Sequence, residues 1–166
     1  DLLAGPGGAQ SNATGVSADG SVIVGGIEID GTSQAVVWTN NHPPRVLDNL
    51  PGTTDSLALG VSANGQFVVG SSTPSSFNDR AVLWKLADNT LVDLSQTALL
   101  RSPGVTDSRA IAVSRDGDIV AGNYSTADNN LSFIWRSGTN TSQQLALLTA
   151  GGYTNSDVVG MSANGA

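Results

Sequence analysis

The feature that most constrains this chain is a hairpin signature that returns along its length. The stretch GVSADGSVIVGG at 15–26 recurs as GVSANGQFVVGS at 60–71 and as AVSRDGDIVAGN at 112–123, and its first half recurs as GMSANGA at 160–166. The serine before each turn repeats at intervals of 45, 52 and 48 residues. Such a period is typical of an array of similar supersecondary units, each packed on its neighbours.

Four kinds of residue hold fixed places in the period. One serine precedes the turn, another lies six residues earlier, a glycine follows the turn serine by three residues, and a tryptophan follows it by 21 or 22. The repeat positions are Ser11, Ser17, Gly20 and Trp38; Ser56, Ser62, Gly65 and Trp84; Ser108, Ser114, Gly117 and Trp135; and Ser156, Ser162 and Gly165. Because each is needed once per unit, we interpret them as structural positions rather than nucleophiles. We expect the hydroxyls to bond to the neighbouring unit, and the tryptophans to be buried, with glycan stacking as the alternative.

Each unit reads as four strands. The first ends at Val-Ser, and an Ala-Asp-Gly or Ala-Asn-Gly turn follows, in which we expect Gly20, Gly65 and Gly117 to take positive φ. The second strand is SVIVGG, QFVVGS or DIVAGN; the third is AVVW, AVLW or SFIW; the fourth is RVLDNL, TLVDLS or QQLALL. Strands two and three are almost continuously apolar, which predicts burial on both faces. We therefore predict an all-β, β-propeller-like array of four-stranded antiparallel blades, with a β-solenoid as the alternative.

The repeat divides the whole of 1–166 into one array. It assigns 1–10 to the end of a preceding repeat, 11–55, 56–107 and 108–155 to three full repeats, and 156–166 to the start of a fourth. Three blades do not close a ring, so we expect a piece of a longer protein. Its terminal modules should contact another copy or further repeats, through residues such as Val22, Val24, Val158 and Met161.

Composition excludes several classes of protein. Lysine and arginine total seven against fourteen acidic residues, and the arginines are scattered, so no basic stripe for nucleic acid is present. No apolar run approaches the ~20 residues that span a membrane, which predicts no membrane insertion of this segment. The absence of cysteine excludes disulfides, thiolate zinc sites and cysteine nucleophiles.

The candidates for chemistry each have a structural interpretation. His42, the only histidine, lies in the loop NNHPPR, with no local support for a Ser-His-Asp triad. Asp19 and Asp116 stand where the other repeats carry Asn64 and Asn164, which indicates a turn former rather than a required charge.

The remaining acidic motifs and the glycosylation sequons also give no evidence of a catalytic site. Asp55 and Asp107, each in a TDS motif, are expected to cap a loop, and DGDIV at 116–120 lacks the later ligands of an EF-hand. We therefore assign no catalytic residue, metal ligand or cofactor, and a weak calcium site stays open. Four N-x-S/T sequons would matter only in a glycosylating source; they lie at Asn12, Asn123, Asn130 and Asn140.

The chain resembles the HAF-type extracellular repeat of bacterial secreted and surface proteins. The pattern A-x-G-V-S-x-D-G-x-x-V-V-G is carried by Ala13–Gly25 and Ala58–Gly70, and an Asp-Leu element stands at Asp93-Leu94 and Asp1-Leu2. The family's histidine is absent from the third strands at 34–38, 80–84 and 131–135. WD40-type blades are similar more loosely, through S-x-D-G and the tryptophan. The resemblance implies an exported bacterial protein, extracellular or on the outer cell surface, sometimes an autotransporter passenger, and no established reaction.

These observations predict a non-enzymatic module for binding, adhesion or extracellular assembly. A protein or glycan partner is expected at the variable segments 26–34, 71–80 and 123–131, because propellers bind through loops at blade ends. The alternatives are a structural subunit of an extracellular filament and part of a glycan-active enzyme on a propeller scaffold.

Overall fold

The computed structural model describes residues 10–40, 42–74, 78–147 and 152–165. Its strands form three antiparallel sheets of four, joined in sequence order within each sheet. Blade 1 contains β1 (Ser11–Val16), β2 (Val22–Ile29), β3 (Thr32–Thr39) and β4 (Arg45–Val46); blade 2 contains β5 (Asp55–Val61), β6 (Phe67–Thr73), β7 (Arg80–Lys85) and β8 (Thr90–Asp93); blade 3 contains β9 (Val105–Val113), β10 (Ile119–Thr126), β11 (Asn130–Arg136) and β12 (Thr141–Gln144). A 3₁₀ helix at Leu94–Gln96 lies between blades 2 and 3. The predicted all-β array of four-stranded blades is confirmed.

The first turn of every blade is closed by its glycine. Gly20, Gly65 and Gly117 have φ of 73°, 70° and 77°, as the sequence predicts, and each donates its N–H to the carbonyl of the turn serine. The left-handed conformation favours glycine because a Cβ is strained there.

A β-bulge interrupts the innermost strand of each blade. The register shifts at Thr14, at Leu59 and at Ile111, so each of these residues is left without a partner on the adjacent strand. The facing residue on the second strand is glycine: a Cβ on Gly70 would lie 1.9 Å from the carbonyl oxygen of Leu57. The final glycine of the VVG motif is therefore required by close backbone contact.

The cores lie between sheets. One cluster joins Val24 and Val37 of blade 1 to Val68 and Trp84 of blade 2. An equivalent cluster joins blade 2 to blade 3; among its members are Val69, Leu83, Leu94, Val120 and Trp135. Because blade 2 buries both faces, its inner strands are continuously apolar, as predicted.

The prediction that 26–34, 71–80 and 123–131 are variable loops is wrong. The stretch 26–34 is almost entirely β2 and β3, joined by a two-residue turn at Asp30 and Gly31 with φ of 51° and 79°. Positive φ at both positions is the geometry that Asp-Gly favours in tight hairpins. The stretches 71–80 and 123–131 also overlap strands, leaving connections of 74–79 and 127–129, of which 75–77 lie outside the described residues.

The fourth strands are also shorter or displaced. β4 has only two residues, because Pro43 and Pro44 precede it and provide no N–H for a ladder. β12 is the polar segment Thr141–Gln144 rather than the predicted QQLALL, because backbone pairing with β11 defines this outer strand, not hydrophobicity.

The predicted terminal contact through Val22 and Val24 is wrong. Val24 is fully buried and, with Val22, packs in the seam between blades 1 and 2. Successive side chains of a strand point to opposite faces, and these two point forward into the array. Val158 and Met161 are half-buried; the segment 1–9 lies outside the described residues.

Candidate functional site

Consecutive repeats are joined by a hydrogen-bonded motif that we call the latch, formed by the pairs Asp55–Ser56, Asp107–Ser108 and Asn155–Ser156. In each pair the first side chain accepts an N–H within one residue of the start of the preceding blade's third strand: that of Ser33 at 3.0 Å, Asp79 at 3.0 Å and Asn130 at 2.8 Å. The serine hydroxyl accepts the N–H two residues further on: Ala35 at 2.9 Å, Ala81 at 3.0 Å and Ser132 at 2.9 Å.

The latch also uses the backbone of its serine. Ser108 donates its N–H to the carbonyl of Asp79, and Ser156 donates to that of Asn130, both at 2.9 Å. The ladder between the third and fourth strands ends at Val36, Val82 and Phe133, and the N–H groups that the latch binds lie before these residues. The latch therefore continues the hydrogen-bonded edge with groups from the next blade.

The side chain of Asn155 accepts the same hydrogen bond as those of Asp55 and Asp107. The latch therefore needs a carbonyl-type oxygen and no charge. The TDS aspartates thus accept N–H groups at the start of a strand in the preceding blade, rather than capping a loop as expected. The latch confirms the expected inter-blade role for the repeat serines at 56, 108 and 156.

The other repeat serines act differently from the prediction. The hydroxyl of Ser62 accepts the N–H of Phe67 at 3.0 Å and donates to Asn64 at 2.6 Å, so it closes its own turn. Ser17 and Ser114 do the same with Asp19 and Asp116. These hydroxyls are buried, and each is used within its own turn.

The acidic turn residues titrate accordingly. The hydroxyl of Ser17, followed by the N–H and hydroxyl of Ser21, lowers the pKa of Asp19 from 3.8 to about 2. The hydroxyl of Ser114, followed by the N–H of Asp118, lowers the pKa of Asp116. Since asparagine occupies this place in the other repeats, turn formation explains the aspartates, as predicted.

The three tryptophans are buried, as predicted: Trp38, Trp84 and Trp135 are 4%, 3% and 4% exposed. Trp84 donates its Nε1–H to the carbonyl of Asp48, in the connection between blades 1 and 2, at 2.8 Å. Trp135 donates instead to Asn140 of its own blade, at 3.1 Å. No ring is available as a glycan-stacking platform.

The face formed by the starts of the third strands and the blade-to-blade connections carries three clefts; we call it the latch face. The first, about 510 Å³, lies beside Asp55, Leu57, Leu59 and Pro74. The second, about 350 Å³, lies between the start of β7 and the connection 94–104. The third, about 570 Å³, lies between blade 3 and the segment 155–165 and includes Tyr124 and Asp157. Each cleft straddles a seam, so adjacent modules build it together.

Several carboxylates that line the clefts are already engaged. Asp79 accepts a hydrogen bond from Thr73 and forms an ion pair with Arg109. The carboxylates of Asp55 and Asp107 accept the latch hydrogen bonds. In the described ranges, no group of three or more His, Cys, Asp or Glu side chains is placed to hold a metal ion. Within 116–120, Asp116 serves the turn and Asp118 accepts a hydrogen bond from Ser137.

His42 lies apart from these residues, on the opposite face. It is exposed and lines an apolar groove of about 850 Å³ beside Pro43, Pro44 and Val46. Its Nδ1 lies 3.0 Å from the carbonyl of Asn40. Among the described residues its ring bonds to no serine or carboxylate, and its place in an exposed loop agrees with the prediction of a surface-loop residue.

Two sequon asparagines hold structural positions. Asn123 donates to the carbonyl of Val158 and accepts its N–H, at 3.2 and 2.7 Å, and Asn140 accepts the Trp135 bond. The side chain of Asn123 bonds to the backbone and that of Asn140 to an indole. These hydrogen bonds explain the presence of asparagine at both positions without glycosylation.

Among the described residues, no helix has the length and apolar character needed to cross a bilayer.

Comparison with solved structures places the fold among β-propellers. TolB from Acinetobacter baumannii superposes with a TM-score of 0.61 at 16% identity, over 84% of this chain and 32% of that one. A protein provisionally named TolB from Agrobacterium tumefaciens gives a TM-score of 0.58 at 14% identity, over 82% of this chain and 49% of that one. The chain thus spans about a third to a half of these structures, and the likeness shows the fold alone. No protein-family model and no curated protein matches it.

Sequence reasoning missed the residues that shape the clefts. Arg80 and Arg101, treated as scattered cations, line one cleft, and Leu57 and Leu59 line its neighbour. The only sequence feature that points to these clefts is the 52-residue interval between turn serines. It is the longest of the three intervals and contains the connection 94–104.

Proposed function

We propose that this chain is a non-enzymatic binding module of an exported bacterial protein built from HAF-type repeats, and that it binds a protein partner on the latch face. The observation that carries the proposal is the row of three clefts of about 350 to 570 Å³ along the seams. Each cleft is formed by two adjacent modules, so a rigid array presents them in a fixed order. Rigid presentation lowers the entropy cost of binding.

The chemistry of these clefts favours binding over turnover. Two free carboxylates would be needed for glycoside hydrolysis, whereas Asp55 and Asp107 each accept a backbone hydrogen bond across a seam. Asn155 does the same work without an ionisable group. The repeat therefore uses this position for assembly.

Binding is tested with a photo-crosslinking residue placed at Leu59, in a latch-face cleft, and at Asp88, on the opposite face as the control. Applied to intact source cells, the Leu59 variant should form a discrete adduct that excess unlabelled chain competes away, and the Asp88 variant should not. Equal adducts from both positions would count against the latch face.

Export and the enzyme alternative have their own tests. Antibodies against the chain should label the surface of intact source cells; labelling only after permeabilisation would refute export. Incubation with a polysaccharide panel should release no new reducing ends. Turnover that disappears in Asp55→Asn or Asp107→Asn, with folding retained, would establish the enzyme instead.

An assembly role is a second candidate, favoured by the outward face of blade 3. Ile134 and Leu145 are half-buried there, whereas their equivalents Leu83 and Leu94 in blade 2 are fully buried by the next blade. Electron microscopy of native material distinguishes the two: fibres would support a filament subunit, and discrete particles the binding module.

A further inference from the structure

The second cleft holds two arginines without partners. Arg80, at the start of β7, and Arg101, in the connection 94–104, both line the same 350 Å³ space. Within the described ranges neither guanidinium has a hydrogen bond or an ion pair; the ion pair found there joins Arg109 to Asp79. This chain has only seven cationic residues and a net charge of −7, so two unpaired arginines in one cleft are unexpected.

The acidic residues of that cleft are engaged elsewhere. Asp79 is used by Thr73 and Arg109, and one oxygen of Asp107 accepts the N–H of Asp79. Neither carboxylate lies within ion-pair distance of Arg80 or Arg101. The guanidinium donors are therefore available to an external anion.

The connection between blades 2 and 3 is longer than the one between blades 1 and 2, and this extra length creates the site. Residues 94–104 join blades 2 and 3, against 47–54 between blades 1 and 2, and include the 3₁₀ helix. Its position is held by Leu94 and Leu100, both buried, and by a 2.9 Å hydrogen bond from Thr97 to Ser142 of blade 3. Arg101 is thus carried by a braced connection.

We propose that the Arg80–Arg101 cleft binds the carboxylate of an acidic residue in an extended peptide, and that the next residues of the peptide enter the adjoining first cleft. Planar guanidinium groups match carboxylates through paired, charge-assisted hydrogen bonds. The two clefts share Pro74 and Asp79, so they are continuous, and the first offers the side chains of Leu57 and Leu59. The sequence recognised is acidic followed by apolar.

A peptide fits better than an acidic glycan. Sugar rings are usually held against aromatic faces, and no aromatic residue belongs to the described lining of either cleft. The inference rests on the proposed function, since it names the chemistry of the partner on the latch face.

The test is an NMR titration of ¹⁵N-labelled protein with a GELG peptide whose two termini are blocked. The peptides GQLG and GESG serve as matched comparisons. We expect shifts at residues of both clefts, and Kd at least ~10-fold weaker for GQLG, since bonds to charged groups contribute more than 1.4 kcal/mol. The variant R80Q/R101Q should weaken GELG binding by a similar factor. The control R115Q/R136Q, which alters exposed arginines elsewhere, should stay within about two-fold.

The outcomes separate this inference from the proposed function. Equal binding of GELG and GQLG, or full binding by folded R80Q/R101Q, overturns the carboxylate site. If the shifts then map to another latch-face cleft, the binding module stands. Tighter binding of oligogalacturonate than of GELG in this cleft overturns the peptide assignment, and no shift with either probe overturns the site.

Discussion

The hydroxyl of Ser108 lies 3.0 Å from the backbone nitrogen of Ala81, in the preceding blade, and accepts its hydrogen bond. Both residues are buried, with Ser108 3% exposed and Ala81 fully covered. Water therefore does not replace the hydroxyl easily if it is removed. This bond makes the latch an energetic link between blades.

Replacing Ser108 with alanine should destabilise the fold by about 1–3 kcal/mol, because it leaves the N–H of Ala81 buried without an acceptor. Urea unfolding followed by circular dichroism measures the change. The control is Ser102→Ala, whose hydroxyl bonds only to the carbonyl of Ala98 in its own connection. Equal losses in the two variants would contradict an inter-blade role for the latch.

Trp84 and Trp38 should differ in a phenylalanine test. Both rings are buried, but Trp84 donates to Asp48 whereas the Nε1 of Trp38 has no partner among the described residues. Trp84→Phe should therefore cost about 1 kcal/mol more than Trp38→Phe, and Trp84→Ala about 3–5 kcal/mol as a large-to-small core change. The same unfolding experiment measures all three. A larger loss for Trp38→Phe would show that its indole nitrogen is bonded in solution.

The repeat made much of this architecture predictable. Tryptophan burial and the positive φ of Gly20, Gly65 and Gly117 follow from local rules that act within one hairpin or strand. Apolar continuity likewise predicts stacked sheets, because burial on both faces leaves no polar side.

The wrong or missing predictions concern longer-range geometry. The sequence predicts Val22 and Val24 on a terminal face because the repeat does not say which face of a strand points forward. The turn serines and latch serines look alike in sequence, yet one set closes its own turn and the other bonds across a seam. The Arg80–Arg101 cleft joins residues 21 positions apart through a connection without a repeat counterpart, so no period could reveal it.

Gly70→Ala should be strongly destabilising, although glycine in a strand normally invites replacement. A Cβ there would lie 1.9 Å from the carbonyl oxygen of Leu57 and 3.0 Å from the Cα of Ala58. The bulge at Leu59 would have to move, at a cost of about 1–3 kcal/mol or more, as in overpacked cores. Gly138→Ala is the control, because its Cβ would meet no atom within 4 Å. In thermal unfolding, the melting temperature of Gly70→Ala should lie clearly below that of Gly138→Ala. Similar melting temperatures would refute the bulge constraint.

Acid stability should depend on the turn aspartates. Hydrogen bonds lower the folded-state pKa of Asp19 from 3.8 to about 2, and that of Asp116 in the same direction. A depressed pKa stabilises the fold above pH 3.8, and for Asp19 this contribution is lost as pH falls towards about 2. The double variant Asp19→Asn, Asp116→Asn cannot titrate there, yet retains the turn, as Asn64 shows. Its free energy of unfolding should therefore fall less than that of the parent between pH 6 and pH 2. Identical pH profiles for the double variant and the parent would show that these carboxylates are not held by their turns.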